Sequence, residues 1–210
     1  MKKFNKHTFS LTNCKKEIIE FENLLKKPKL DENAEILPFF KKNINLCSLI
    51  RFIVSPNTPN QLNIAHEYDF WGDFACDLAV ADAENKTICF VEFENCMPDS
   101  IFKQVGQKAT KEYAPRFEHG YSQIIDWFYR IDNFTNSHEI KKKFGRDNID
   151  FIGILITGHS RDLDDELRKR LKWRENNVVI SNSKILYFTF DELLGSFKHK
   201  IDNILSISQT

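Results

Sequence analysis

The sequence predicts an α/β fold, a mixed β-sheet flanked by helices under an N-terminal helical cover, and three observations carry that reading. Residues 61–95 hold three successive strand segments, QLNIAHEYDF, DFACDLAVAD and TICFVEFEN, the last two β-rich. The run FIGILITG at 151–158 is apolar and ends in glycine, as expected of a strand covered on both faces. Around them lie segments whose apolar residues recur at helical spacing. Such alternation packs as layers of helices on a sheet.

Taken in order, residues 14–27 place Ile18, Phe21, Leu24 and Leu25 on one helical stripe. A second short helix follows Asp31, a suitable N-cap, and is disturbed by Pro38. NINLCSLIRFIV (43–54) reads as a buried helix, and SPNTPN (55–60) as a turn-rich break. After the three strands come a helical region from Asp99 to about Tyr113, a break at Pro115 and a strong helix from about Gly120 to Ile131. Beyond the strand at 151–158 follow a charged helix (DLDDELRKRLKWRE), a strand (KILYFTF) and a closing helix (DELLGSFKHKIDNIL).

A chain of 210 residues fits one domain, 1–210, with residues 1–58 as lead-in packed on a core of 59–210. Thirty basic and thirty acidic side chains give no net charge, which excludes a general coater of polyanions but not a local basic patch. Cysteines at 14, 47, 76, 89 and 96 form no CxxC pair, so buried reduced thiols in a cytoplasmic protein are expected. A zinc site from Cys89, Cys96 and a histidine has the wrong spacing for known zinc modules. The basic N-terminus lacks the apolar core of a secretory leader, and no stretch approaches the ~18 apolar residues of a membrane span.

The chemistry concentrates between Glu67 and Glu94. Side chains alternate along a strand, so Glu92 and Glu94 share one face, and Ala75, Asp77 and Ala79 share a face of the preceding strand. If Ala83–Lys86 form the loop, Asp77 falls opposite Glu92, with Glu94 diagonally beyond, opposite Ala75. Three carboxylates on one patch of otherwise apolar strands repel one another, and a hard divalent cation resolves that repulsion. The alternative is an edge strand with one wet face, its glutamates solvated and Asp77 paired with a lysine. A slip of one residue would also turn Asp77 to the opposite face.

On the following helix Gln123, Trp127 and Arg130 share a face, while Tyr121, Ile124, Ile125, Phe128 and Ile131 form the core stripe. Arg116 and His119 precede that helix, where backbone N–H groups favour anions, and are candidates to grip a phosphate. His66 and His159 read as structural, and Trp71 as closing a hairpin. LRKRLKWR (167–174) is the most basic segment, but the acids at 162–166 point to an exposed, salt-bridged helix.

The blocks EIIEFENLLKK, ILPFFKKN, HEYDFWGDFACDLAV, FVEFENCMPDSIFK and APRFEHGYSQIIDWFY resemble the Shedu-type anti-phage nuclease domain of the PD-(D/E)XK nuclease superfamily. The resemblance covers most of the chain. It implies a restriction-endonuclease-like fold and a Mg²⁺- or Mn²⁺-dependent endonuclease acting on phage or plasmid DNA. By that likeness Asp77 and Glu92 are metal ligands, Glu94 stands where lysine is usual, Gln123 orients a water or phosphate, and Glu67 completes the metal shell. With Glu94 in the lysine position, a nearby lysine such as Lys103 is the alternative activating group. Two other readings stay open: an inactive nuclease-fold protein that binds nucleic acid or a protein partner, and a homo-oligomer assembled through the N-terminal helices.

Overall fold

The computed structural model describes residues 3–54, 61–134, 138–180 and 183–207. In chain order the elements are β1 (Asn5–Thr8), α1 (Leu11–Leu24), a π-helical turn (Glu32–Ile36), α2 (Leu37–Lys42), α3 (Ile44–Ile53), β2 (Gln61–Phe70), β3 (Phe74–Asp82) and β4 (Thr87–Phe93). There follow β5 (Phe102–Lys103), β6 (Glu112–Tyr113), α4 (Pro115–Phe134), α5 (His138–Phe144), β7 (Asp150–Ile156), a 3₁₀ turn (Ser160–Asp162), α6 (Asp165–Asn177), β8 (Val179–Ile180), β9 (Ser183–Phe188) and α7 (Phe190–Ile207).

Seven strands form one mixed sheet in the order β1-β2-β3-β4-β7-β9-β8. β7 runs parallel to β4 and β9, and the remaining pairs are antiparallel. Side chains alternate through the sheet, so β4 feeds two separate cores. Cys89, Val91 and Phe93 join the α1, α3 and α7 side, where Phe40 stacks on Phe93 at 4.3 Å between ring centres. Ile88 and Phe90 join the other core, under α4 and α5, where Phe70 stacks on Trp127 at 5.5 Å. The helical cover expected at the N-terminus is this first layer, with Ile18, Phe21 and Leu25 buried as the stripe predicts.

Several expectations need correction. Residues 99–113 are not a helix: they hold turns and the two-stranded β5–β6 hairpin, with Gly106 at φ +58°. Gly106, in the left-handed region, interrupts a helix there. Pro115 does not break a helix but begins one, a position where its missing N–H costs nothing. Strand β1, α5 and the two-residue β8 lack a clear sequence period and were not expected. The expected break at 55–60 lies outside the described residues. Asp31 caps the π turn, accepting from the Ala34 N–H at 2.8 Å, and Pro38 fits the first turn of α2. All five cysteines are free and buried. Among the described residues no helix is long and apolar enough to cross a membrane.

Candidate functional site

The β3–β4 hairpin has the predicted register: Leu78 pairs with Val91, Ala79 with Phe90 and Ala81 with Ile88. Continued by one pair, that ladder sets Asp77 opposite Glu92. The ladder stops just short, because the Asp77 carboxylate itself accepts the Phe93 N–H at 2.8 Å. Neighbouring β2 changes parity at the same level. Ala65 and Tyr68 both enter the α4-side core although they stand three positions apart, and so do Ala79 and Cys76. Glu67, at φ +51°, lies at this break. Ala75 is consequently exposed, and the face it was expected to share with Asp77 and Ala79 is supplied by Cys76 instead.

Glu92 and Glu94 end β4 on the α4 side and are almost wholly buried, at 6% and 1% exposure. Gly120 allows the helix to come so close: a Cβ there would stand 2.7 Å from Leu155 Cδ1 and 3.1 Å from Glu94 Cγ. Gly153 does the same on β7, where a Cβ would meet Ile124 Cγ2 at 2.4 Å. These two glycines seat α4 on the sheet and bring its first turns over the acids.

Gln123 Nε2 donates to Glu92 Oε1, and Arg116 lies 3.3 Å from Glu94 Oε2. His119 Nδ1 is 3.8 Å from Glu94 Oε1. Arg116 and His119 are half-exposed and sit within the first two turns of α4, not before it. A fourth acid, Glu32, enters from the π turn: its carboxylate is 3.5 Å from the same Arg116 nitrogen, and its N–H donates to the Asn95 side chain at 2.9 Å. Glu32 lies close enough to Glu94 for its charge to raise the Glu94 carboxyl. Asn95 is the local organiser. Its backbone carbonyl also takes the Gly158 N–H at 3.1 Å and the Thr157 hydroxyl at 3.1 Å.

The electrostatics follow from that crowding. Burial, followed by the charges of Asp77, Glu94 and Glu32, pushes the Glu92 carboxyl well above the carboxylate range. Burial lifts Asp77 to about 7, with the Phe93 N–H pulling the other way. Burial and Glu32 push Glu94 up to about 8, partly countered by Arg116. One buried oxygen of each of Glu32, Glu92 and Glu94 has no hydrogen-bond partner. Arg116 is therefore near enough to Glu94 for ion pairing but not aligned for a hydrogen bond.

Other expected residues lie elsewhere. The Glu67 carboxylate pairs with Lys41 at 2.5 Å. Lys103 sits in β5 opposite Glu112, on the small hairpin. The lysine whose charge acts on Asp77 is Lys41. Trp127, expected on the Gln123 face, is core, and Arg130 pairs with Asp73. His159 is structural as expected, fully buried with Nδ1 2.9 Å from Asp191. Trp71 stacks on Phe134 at 4.6 Å, closing the β2–β3 turn. Glu32 and Lys41 escaped sequence reading because DENAEI reads as an ordinary acidic helix start and Lys41 as a solvated helix end.

Among the described residues, no three His, Cys, Asp or Glu side chains are preformed around one point as a metal cage. The fit to a metal therefore rests on donor chemistry: oxygen-only, mutually repelling carboxylates with unpartnered buried atoms suit a hard divalent cation. A cavity of about 600 Å³ lies away from these acids, between α6, β9 and α7.

Fold and site together define an α/β protein centred on a buried cluster of carboxylates at one end of its central hairpin. The chain belongs to the Shedu protein SduA, C-terminal family, whose model matches residues 29–194, a stretch containing all four acids and Gln123. No curated protein matches the chain.

Proposed function

We propose that the chain is a Mg²⁺- or Mn²⁺-dependent endonuclease that hydrolyses phosphodiester bonds of DNA in defence against phage, on a restriction-endonuclease-like PD-(D/E)XK core. The observation that carries this reading is the crowding of half-buried Asp77 with buried Glu92 and Glu94, each pushed above the carboxylate range, with one oxygen of each glutamate left without a partner. Buried acids that repel one another cost stability, and such groups concentrate where chemistry needs them.

Asp77, Glu92 and Glu94 would hold the cation, with Glu32 beside them. When bound, it supplies a Lewis acid for the phosphoryl group. The chain's own residues do the rest. Gln123 donates to Glu92 and fixes which oxygen stays free. Arg116 and His119 look both to Glu94 and to solvent, so either can turn to a phosphate. Asp77 and Glu94 must lose protons before they ligate, so cleavage should rise between pH 6 and about 8.

Purified protein should nick plasmid DNA with Mg²⁺ or Mn²⁺, and Asp77→Ala should abolish the nicking. Undiminished cleavage by that variant would place the activity in another site. A second reading, a catalytically inactive module that binds nucleic acid or a protein, is favoured by one contact: Arg116 already lies between Glu94 and Glu32, where a cation's charge would otherwise act. Calorimetric titration separates the two, since the inactive module would bind neither Mg²⁺ nor Mn²⁺.

A further inference from the structure

Beside the carboxylates, α6 and the start of α4 build an aromatic box that the nuclease reading does not use. Arg174 lies over the ring of Tyr121 at 3.9 Å and over Tyr113 at 4.7 Å, and Glu118 grips its guanidinium with two bonds of 2.6 and 2.9 Å. Arg170 lies over Phe102 at 4.9 Å and Tyr113 at 5.3 Å, and donates to the Lys111 carbonyl at 2.7 Å. The helix α6 is salt-bridged as expected, through Lys172–Glu175 and Arg174–Glu118, but Arg170 and Arg174 fold inward over rings, and its acidic start serves the helix itself, Asp164 capping Leu167 N–H at 2.9 Å. Tyr113, Tyr121, Arg170, Trp173, Arg174 and Val178 line a cavity of about 460 Å³. Trp173 stands at its mouth with 65% of its surface exposed.

An exposed indole beside a slot walled by rings and guanidinium planes is unusual on a soluble surface. Its walls are rings and guanidinium planes, and Lys169, exposed on the same helix one turn before Trp173, makes no ion pair among the described residues, whereas Lys172 is paired with Glu175. A flat π-system that carries negative charge on its attached backbone matches both features. The box also has a definite relation to the acids. Arg116 and His119 of the first turns of α4 reach Glu94, whereas Glu118 and Tyr121 of the same turns reach Arg174.

We infer that this box takes an unpaired nucleobase, stacked against Trp173, from a strand whose phosphates run past the α4 N-terminus to the carboxylates. Stacking needs an open π-face, which paired bases in a duplex do not offer. That the partner is a nucleic acid rests on the function proposed above; that a base enters here rests on the box itself.

The test uses the full chain carrying Asp77→Asn, so that the probe survives, with a fluorescein-labelled twelve-residue oligothymidine and a duplex of equal length, read by anisotropy in EDTA. Trp173→Ala should weaken oligothymidine binding about 5- to 100-fold and leave duplex binding within about twofold, and Trp173→Phe should restore most of the loss. Oligothymidine should also quench tryptophan emission, and the quench should vanish in Trp173→Ala. Equal affinity of Trp173→Ala and its parent for oligothymidine overturns the inference, as does an equal loss on both probes, which would make α6 a plain cationic patch. Plasmid nicking by the wild-type chain is scored separately. Nicking without a Trp173 effect would sink the box alone, and a Trp173 effect without nicking would sink the catalytic reading alone.

Discussion

At its closed end the β3–β4 hairpin carries Asp82, whose carboxylate accepts the N–H groups of Glu84, Lys86 and Thr87 at 3.1, 2.9 and 2.9 Å and meets Arg51 at 3.4 Å. Burial pushes its pKa up, but the Lys86 and Thr87 N–H groups and Arg51 outweigh it, and the carboxyl ends below its usual value. At the open end Asp77 has one backbone N–H, Glu92 one amide and Glu94 a misaligned arginine, and all three end above theirs. One acid type in one hairpin thus occupies two opposite states. The difference is the number of donors supplied, not depth alone. The turn satisfies Asp82 from within the chain; the open end supplies its acids with fewer donors.

Breaking the open end should produce the largest change in activity. Asp77→Ala and Glu92→Ala should each lower the plasmid-nicking rate by about three orders of magnitude, while circular dichroism shows the fold retained. Breaking the closed end should do the reverse. Asp82→Ala leaves Arg51 buried without its charge partner, an effect of about 3–5 kcal/mol, seen as a melting temperature lower by roughly 10 °C.

Smaller changes sharpen the contrast. Glu92→Gln keeps an acceptor for Gln123 while removing a buried charge, so it should raise the metal-free melting temperature by a few degrees at pH 8 and still abolish cleavage. The pH dependence has a definite sign. Asp77 and Glu94 hold protons in the folded chain up to about 7 and 8, above their unfolded values, so their contribution to stability is present at low pH and lost as pH rises through that window. Metal-free protein should therefore melt higher at pH 5.5 than at pH 8.5, and Asp77→Asn should shrink the gap. Asp82, with its lowered pKa, loses its contribution only on acidification below the carboxylate range. Gly120→Ala should have the mildest effect, reducing cleavage several-fold as Leu155 and Glu94 are pushed from their places.

The hairpin register was legible because the loop at Ala83–Lys86 fixes it, and that register brings Asp77 level with Glu92. The main helices were legible from their apolar period, α4 and α7 above all. What escaped has physical reasons. The parity change at Glu67 comes from one positive φ in a non-glycine residue, which no alternation pattern announces. Glu32 reaches the site through tertiary packing of a π turn 45 residues from Asp77, and nothing local marks it out. Trp127 was assigned to the site face by helical spacing, yet stacking on Phe70 draws it into the core. Arg170 and Arg174 read as solvated charges because their partners, Tyr113 and Tyr121, belong to other elements.

Calorimetric titration of Mg²⁺ and Mn²⁺ into the metal-free chain at pH 7, repeated in two buffers of different ionisation heat, bears most directly on the carboxylate cluster. If these acids hold a divalent ion, binding will be saturable, will release protons from Asp77 and Glu94, and will disappear in a chain carrying Asp77→Asn and Glu92→Gln. Absence of binding at millimolar metal, or binding that the double variant retains, would contradict it.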